Sequence, residues 1–363
     1  MTVPDPVPVS TPVSTPASVS GPVAVVVPER PAVTFVVPCH NEEPVVEGTA
    51  RALLALIAQQ REIGRCGPAS LVLFVDDGST DRTWALIEQL TRDHPGRIAG
   101  LSLSRNVGHQ HALLAGLSAA PGDVLISIDA DLQDDLAVIP QMLDYYQQGH
   151  DIVYGVRAQR ASDTRLKRMT AAGFYRLMRR LGVDVIDNHA DYRLMSRRAV
   201  EILRQYGEVN LFLRGIVRLI GLRSAQVFYD RGERTAGSTK YSMSRMLALA
   251  LDGITSFSAV PLRVISMLGL LTSLFALAVS IWVLIVALTK PSAVPGWAST
   301  VLPITFIGGV QILSIGVLGE YIGKIYMETK RRPRFIVDRA VGLPGVDADA
   351  GTRAATLQDD RFG

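Results

Sequence analysis

Between residues 31 and 128 the chain alternates short apolar runs with segments whose apolar residues recur at helical spacing. The runs Ala32–Pro38, Leu71–Val75, Ile98–Leu103 and Val124–Ile128 predict buried strands. Glu43–Gln60, Arg82–Thr91 and Gln110–Ala119 predict the helices between them. Such alternation builds an α/β, Rossmann-like fold, a mainly parallel sheet with helices on both faces. Ligands of these sheets sit beyond the C-terminal ends of the strands, and a polar cluster follows each strand here.

Beyond about residue 160 the pattern changes. Asp163–Val183 interleaves Arg165, Lys167, Arg168, Arg176, Arg179 and Arg180 with apolar residues such as Leu166, Phe174 and Leu181. That predicts an amphipathic helix whose cationic face suits anionic headgroups. Taken alone, the segment reads more simply as a solvated charged helix. A juxtamembrane helix is expected over 241–263. Val264–Leu288 then runs without a charge, long enough to cross a bilayer core. Ser299–Gly319 is a second, weaker apolar stretch containing Pro303, Gly308, Gly309 and Gln311. The link Thr289–Ala298 has Lys290 as its only charge and Trp297 at interface depth.

Arg263 precedes the first span, and Lys324, Lys330, Arg331, Arg332 and Arg334 follow the second. The positive-inside rule puts both outer flanks in the cytoplasm. The expectation is a multi-pass protein of the inner (plasma) membrane, with its catalytic domain on the cytoplasmic side. A hairpin buried in a soluble core is the alternative, and the charge-free length of the first run argues against it. Residues 1–30, rich in Pro, Val, Ser and Thr, lack the basic start and apolar core of a signal peptide and predict a proline-stiffened tail. The domains expected are this tail, a catalytic domain over 31–240, the membrane segment, and a basic then disordered end over 320–363.

Hydrophobic residues make up 48% of the chain, and their excess sits in the two spans. The formal net charge of +3 gives no support to a nucleic-acid partner. Cys39 and Cys66 match no metal or redox spacing, and Cys39 reads as a small buried hydrophobe. Among six histidines, His109 and His111 form the only close pair.

The candidate chemistry lies at the strand ends. Asp129 and Asp131, in Ile128-Asp129-Ala130-Asp131-Leu132-Gln133-Asp134, stand two apart where a strand gives way to a turn. Both carboxylates can face one hard cation such as Mg²⁺ or Mn²⁺, which prefers oxygen ligands and is often completed by substrate phosphates. An acidic turn capping the next helix is the simpler alternative for this motif alone. Pro38-Cys39-His40-Asn41-Glu42-Glu43 closes the first strand with polar side chains able to meet a nucleoside. Val75-Asp76-Asp77-Gly78-Ser79-Thr80-Asp81 closes the second, with Asp76 and Asp77 as candidate base or ribose contacts, or simply as a turn. Ser104-Arg105-Asn106-Val107-Gly108-His109 closes the third, with Gly108 permitting close backbone approach. Arg105 suits a phosphate or a structural ion pair. Later, Arg234 and Lys240 flank Gly237 and Ser238, offering cationic donors for phosphate.

Taken in order over roughly Val33–Asp230, these segments resemble the family 2 glycosyltransferases of GT-A fold. The resemblance implies that Pro38, Asn41, Glu42, Asp76, Asp77, Gly108 and Asp129 hold a nucleotide-sugar. It also implies that Asp129 and Asp131 bind the diphosphate through Mg²⁺ or Mn²⁺, with Gln133 joining that metal site. Asn188-His189-Ala190-Asp191-Tyr192-Arg193-Leu194-Met195 resembles the [AG]D[FY]RL segment of the polyprenyl-phosphate glycosyltransferases, which places Asp191 and Arg193 near the acceptor. Arg234, Gly237, Ser238 or Thr239, Lys240 and Tyr241 resemble their R-x-x-G-x-[ST]-K-Y loop, with one residue of spacing open. The catalytic residues implied are Asp131, Asp191, Arg234 and Lys240. The acceptor phosphate falls to Arg193, Arg234, Ser238 and Lys240. Paired C-terminal spans resemble the bactoprenol glucosyltransferases and the aminoarabinose transferases, whereas dolichol-phosphate mannose synthases can lack them.

The expected reaction is inverting, metal-dependent transfer of a hexose from a nucleotide-sugar to polyprenyl (undecaprenyl) phosphate at the membrane. UDP-glucose is the first donor to consider; GDP-mannose, UDP-galactose, N-acetylhexosamine donors and aminoarabinose are the alternatives. A processive polysaccharide synthase would need more spans and a Gln-x-x-Arg-Trp motif, which the chain lacks. A non-catalytic membrane scaffold is the reading from another class, and the Asp129 and Asp131 pair with the Lys240 loop argues against it. The apolar helices also allow homo-oligomers, of no stated number.

Overall fold

The computed structural model describes residues 27–157, 189–208, 213–229, 260–289 and 297–343. The expectations for the N-terminal tail up to residue 26, the basic helix at 163–183, the segment 241–259, the link at 290–296 and the tail from 344 lie outside the described residues.

The strands and helices predicted over the first half all form, with ends shifted by a few residues. They are β1 (Val33–Cys39), α1 (Val46–Glu62), β2 (Leu71–Asp76), α2 (Thr83–Asp93), β3 (Ile98–Leu103), α3 (His109–Ala119) and β4 (Val124–Ser127). Helix α1 starts at Val46 and not at Glu43 because the preceding residues tie two loops together. The Glu42 N–H donates to Thr83 Oγ1 at 2.9 Å, and the Glu43 N–H to Asp81 Oδ2 at 3.2 Å. After β4 come α4 (Ile139–Gln147), β5 (Ile152–Arg157), β6 (His189–Ser196), α5 (Arg197–Arg204), α6 (Leu213–Leu219) and β7 (Ser224–Tyr229). The C-terminal part supplies α7 (Val260–Thr289), α8 (Trp297–Thr329) and β8 (Val337–Val341).

The strands form one eight-stranded sheet in the order β7-β5-β6-β4-β1-β2-β3-β8. The β1–β2, β1–β4, β2–β3 and β5–β7 pairs are parallel, while β6 runs antiparallel between β4 and β5. Central strands of such a sheet are covered on both faces, which is why they read as unbroken apolar runs. Phe35, Val37 and Phe74 pack to one side with α1 and α4 residues, and Val36, Leu73 and Val75 pack to the other with Leu113 and Ala199. Helix α3 lies close on that second face. A Cβ on Gly116 would come within 2.5 Å of Val36 Cγ1 and 2.6 Å of Val75 Cγ2. Overpacking of this kind costs about 1–3 kcal/mol or more. Gly116→Leu is therefore expected to lower the melting temperature by several degrees in a thermal scan, and to displace α3 and the residues at its N-terminus.

Both apolar stretches of the C-terminal part are helical, at 30 and 33 residues. Within α8, Phe306–Thr329 is long and apolar enough to cross a membrane, with a mean hydropathy of 1.4 and none of it buried. It lies later than the expected Ser299–Gly319. Helix α7 exposes Leu270, Phe275 and Trp282.

Val337–Val341, expected only as part of a basic C-terminal segment, is a strand. Strand β8 returns to the catalytic sheet and pairs antiparallel with β3, Leu103 opposite Val337 and Gly100 opposite Val341. An open sheet edge presents unpaired N–H and C=O groups, and β8 satisfies them. Val337 and Ala340 turn inward, and Arg339 lies over the Trp84 ring and 3.8 Å from Glu88. The sheet therefore includes a strand that follows the apolar helices in the chain.

Candidate active site

Register brings the strand ends to one edge. Cys39 of β1 pairs with Asp76 of β2, and Ser102 of β3 also pairs with Asp76. The loops after β1, β2, β3 and β4 therefore gather at that edge. Because β6 runs the other way, it starts there: Ser127 pairs with Arg193, so the register carried two residues further sets Asp129 across from Asp191. His109, the first residue of α3, stands between them. Its Nε2 is 3.6 Å from Asp129 Oδ1 and 3.6 Å from Asp191 Oδ2, an ion-pair distance. Burial alone would lower the imidazole pKa, but the two carboxylates outweigh it and raise it.

The loops after β1, β2 and β3 form a tied framework. Asp76 and Asp77, expected to meet a base or ribose, are each 2% exposed. Asp76 accepts from the Ser79 N–H and Ser102 Oγ, both at 3.2 Å. Asp77 accepts from the Val107 N–H at 2.7 Å and the Gly108 N–H at 2.9 Å. Their carboxylates tie the loops together. Gly78, at φ 62°, lies so close to the Arg105 backbone that a Cβ would approach to 2.6 Å. Asn41, also at positive φ, accepts from the Thr80 N–H at 2.8 Å, and Asn106 Nδ2 lies 3.0 Å from His40 Nε2. Pro38 sits inside the sheet opposite Val75.

The turn after β4 carries four carboxylates, Asp129, Asp131, Asp134 and Asp135. Asp131 accepts from the Gln133 backbone N–H at 3.3 Å and from Gln133 Nε2 at 2.5 Å. Asp134 is held beneath by Tyr229 Oη at 2.5 Å and Arg157 Nη2 at 3.1 Å. Burial, then Asp134, Asp191 and Asp131, raise the Asp129 carboxyl against the opposing pull of His109. Burial, then Asp131 and Asp129, likewise raise Glu42. A place where carboxylates hold one another's pKa up is a place short of positive charge. Gln133 Oε1 is buried there without a hydrogen-bond partner. Oxygen donors, surplus negative charge and an orphaned amide oxygen together fit a hard divalent cation. Among the described residues no three His, Cys, Asp or Glu side chains converge on a ready-made metal position.

Asp191 and Arg193 form a buried ion pair. Arg193 is 1% exposed, its Nη2 is 2.6 Å from Asp191 Oδ1, and its Nη1 donates to Leu213 O at 3.5 Å. It is a buried counter-charge to Asp191. Arg214, at the start of α6, meets the same carboxylate through Nε at 3.3 Å and Nη2 at 3.2 Å. Burial would raise the Asp191 carboxyl, but His109, Arg193 and Arg214 together hold it well below the usual aspartate range. Sequence reasoning missed Arg214, Arg157 and Tyr229, which belong to no local motif; His109 carried one signal, its place directly after Gly108. Arg234, Ser238 and Lys240 lie outside the described residues.

A mainly parallel GT-A-like sheet with an acidic turn after its fourth strand defines a nucleotide-sugar-type transferase fold. A family model described as glycosyl transferase family 2 matches residues 34–203. The chain is 50% identical over 311 residues to the uncharacterized glycosyltransferase YkoT of Bacillus subtilis (strain 168), covering 85% of this chain and 92% of that protein. It is 41% identical over 311 residues to the prophage bactoprenol glucosyl transferase homolog of Escherichia coli (strain K12), covering 85% and 98%. A bactoprenol glucosyl transferase of Shigella phage SfV is 42% identical over 309 residues, covering 84% and 97%. The chain belongs to glycosyltransferase family 2 and is a glycosyltransferase.

Proposed function

We propose that the protein transfers a hexose, with inversion, from a nucleotide-sugar to polyprenyl phosphate at a membrane surface. The observation that carries the lipid acceptor is the path of the chain after α8. Residues 330–336 join a membrane-length apolar helix to β8, whose first residue pairs with Leu103 at the site end of β3. The Ser104 N–H, where the third site loop begins, donates to Ile336 O at 3.0 Å. At about 3.5 Å per extended residue, this connection keeps the site within roughly 25 Å of the helix end. The relatives named as bactoprenol glucosyl transferases support the same acceptor and make glucose the first sugar to test.

In this reading α7 and α8 both cross the membrane, with the catalytic domain on the cytoplasmic side. The apolar side chains exposed on α7, Leu270, Phe275 and Trp282 among them, suit a lipid surround. The return of β8 to the sheet supports an α8 that ends on the catalytic side, in line with the charge bias of the flanks.

A phosphate monoester has a second pKa near 6, so the acceptor is largely a dianion at neutral pH and needs little help from a base. Its oxygen attacks the anomeric carbon as the bond to the nucleotide diphosphate breaks, and the diphosphate leaves with that bond's electrons. Asp191, bound by two guanidinium groups, is a poor proton acceptor and orients the acceptor side of the cleft. The loops tied by Asp76 and Asp77 hold the nucleoside, with Asn41, Glu42 and Gly108 at their rims. Asp129, Asp131 and Gln133 would hold Mg²⁺ or Mn²⁺, which neutralises charge on the leaving diphosphate. Arg234, Ser238 and Lys240 are proposed to contribute further donors to the acceptor phosphate.

The test is incubation of the purified membrane protein with polyprenyl phosphate and a panel of labelled nucleotide-sugars. One donor, UDP-glucose first, is expected to give a lipid-linked sugar. Chelation with EDTA should stop the reaction, and added Mg²⁺ or Mn²⁺ should restore it. Failure of every donor, or transfer that ignores chelation, would refute the lipid-acceptor reading or the metal assignment respectively.

A further inference from the structure

We infer that Arg214 is the guanidinium that receives a substrate phosphate in this cleft, and that Asp191 holds it ready. This deepens the proposed function and rests on its reading of the cleft. Two guanidinium groups share the one Asp191 carboxylate, and they are not equivalent. Arg193 makes the short contact, 2.6 Å, and is 1% exposed. It neutralises Asp191 permanently, because moving it would leave a charge unpaired in the interior. Arg214 makes two longer contacts, 3.3 and 3.2 Å, and its side chain is 40% exposed. Among the described residues it makes no hydrogen bond except to Asp191, which leaves spare N–H donors on a partly exposed side chain.

With Arg193 already balancing Asp191, the charge of Arg214 is surplus at that point. A planar fork with spare donors matches a phosphate oxygen pair better than a lysine does. The cleft is divided accordingly. Glu42, Asp129 and Asp131 make one side acidic, Arg214 makes the other basic, and His109 stands between, 3.6 Å from Asp129 and from Asp191. A dianionic phosphate ester has its place on the basic side, next to where a donor sugar would lie. Asp191 is then a positioning residue. It aims Arg214 in the empty cleft and retains Arg193 when Arg214 turns to its ligand.

The phosphate has two sources, the lipid acceptor and the diphosphate of the donor. Equilibrium binding on the full chain in nanodiscs distinguishes them, with a short-chain polyprenyl phosphate as one probe and UDP as the other. Arg214→Gln is expected to weaken polyprenyl phosphate binding by about tenfold or more, as loss of a charge-assisted pair does, and to leave UDP unchanged. A loss confined to UDP supports the subsite and assigns it to the donor. Equal binding of both probes by wild type and Arg214→Gln overturns the inference. If Arg214→Gln fails to fold, Arg214→Lys carries the test: it keeps the charge without the fork, so an intermediate affinity supports the subsite and a wild-type affinity overturns it. A protein that binds either probe through Arg214 yet transfers no sugar sinks the proposed reaction and leaves this subsite standing.

Discussion

Asp131→Asn is expected to reduce sugar transfer by roughly two to three orders of magnitude or more, with a melting temperature at or slightly above that of the wild type. The activity loss follows from the role of preorganised charge at a leaving diphosphate, where removal of one stabilising group is typically worth about that much. The unchanged stability follows from the geometry. Among the described residues the Asp131 carboxylate bonds only to the backbone and side chain of Gln133, two residues away. It ties no distant elements together, and asparagine retains an acceptor for the Gln133 N–H. Removing its charge also relieves the repulsion that raises Glu42 and Asp129. Transfer assays paired with thermal scans decide the matter. Near-normal transfer would remove Asp131 from the metal assignment.

Asp191→Ala is expected to fail in both measurements at once. Its carboxylate is the counter-charge of Arg193, which is 1% exposed and has an Nε already without a partner. Breaking a buried pair from one side typically costs about 3–5 kcal/mol, because the remaining charge stays in the interior. A drop of that size in unfolding free energy, measured by denaturant titration, should accompany loss of transfer. The wild-type contribution has a definite pH window. The Asp191 pKa is depressed in the folded state, so the stability it supplies is present above the unfolded value and lost only as pH falls through the folded one. Between pH 7 and pH 5 this pair contributes nothing to any change in melting. An Asp191→Ala protein as stable as the wild type would show that Arg193 does not depend on it.

The contrast between these two aspartates marks how far the site was legible. Asp131 was readable because its neighbours in the chain explain it: a strand ends, the chain turns, and two carboxylates stand two residues apart. Asp191 and Arg193 were found by resemblance, and Arg214 could not be. Arg214 is 23 positions away and in no motif, and it reaches Asp191 from the start of α6. Asp76 and Asp77 were recognised as site residues, but their direction was not. Whether a carboxylate after a strand faces a ligand or the backbone of the next loop depends on how closely that loop approaches. Here the Val107 and Gly108 N–H groups occupy Asp77.

By itself the sequence determined the α/β alternation, the edge of the sheet where the chemistry gathers, the acidic turn at Asp129 and Asp131, and the two long apolar helices. All of these depend on local periodicity, on charge, or on residues adjacent in the chain. Tertiary structure alone decided three further things. It set Asp191 across from Asp129 with His109 between them, it separated a buried Arg193 from an accessible Arg214, and it brought Val337–Val341 back to the edge of β3. A strand of mixed composition carries no signal until an unpaired edge is offered to it. The partners of a carboxylate far along the chain are likewise set by strand direction and register, which arise only when the whole sheet is assembled.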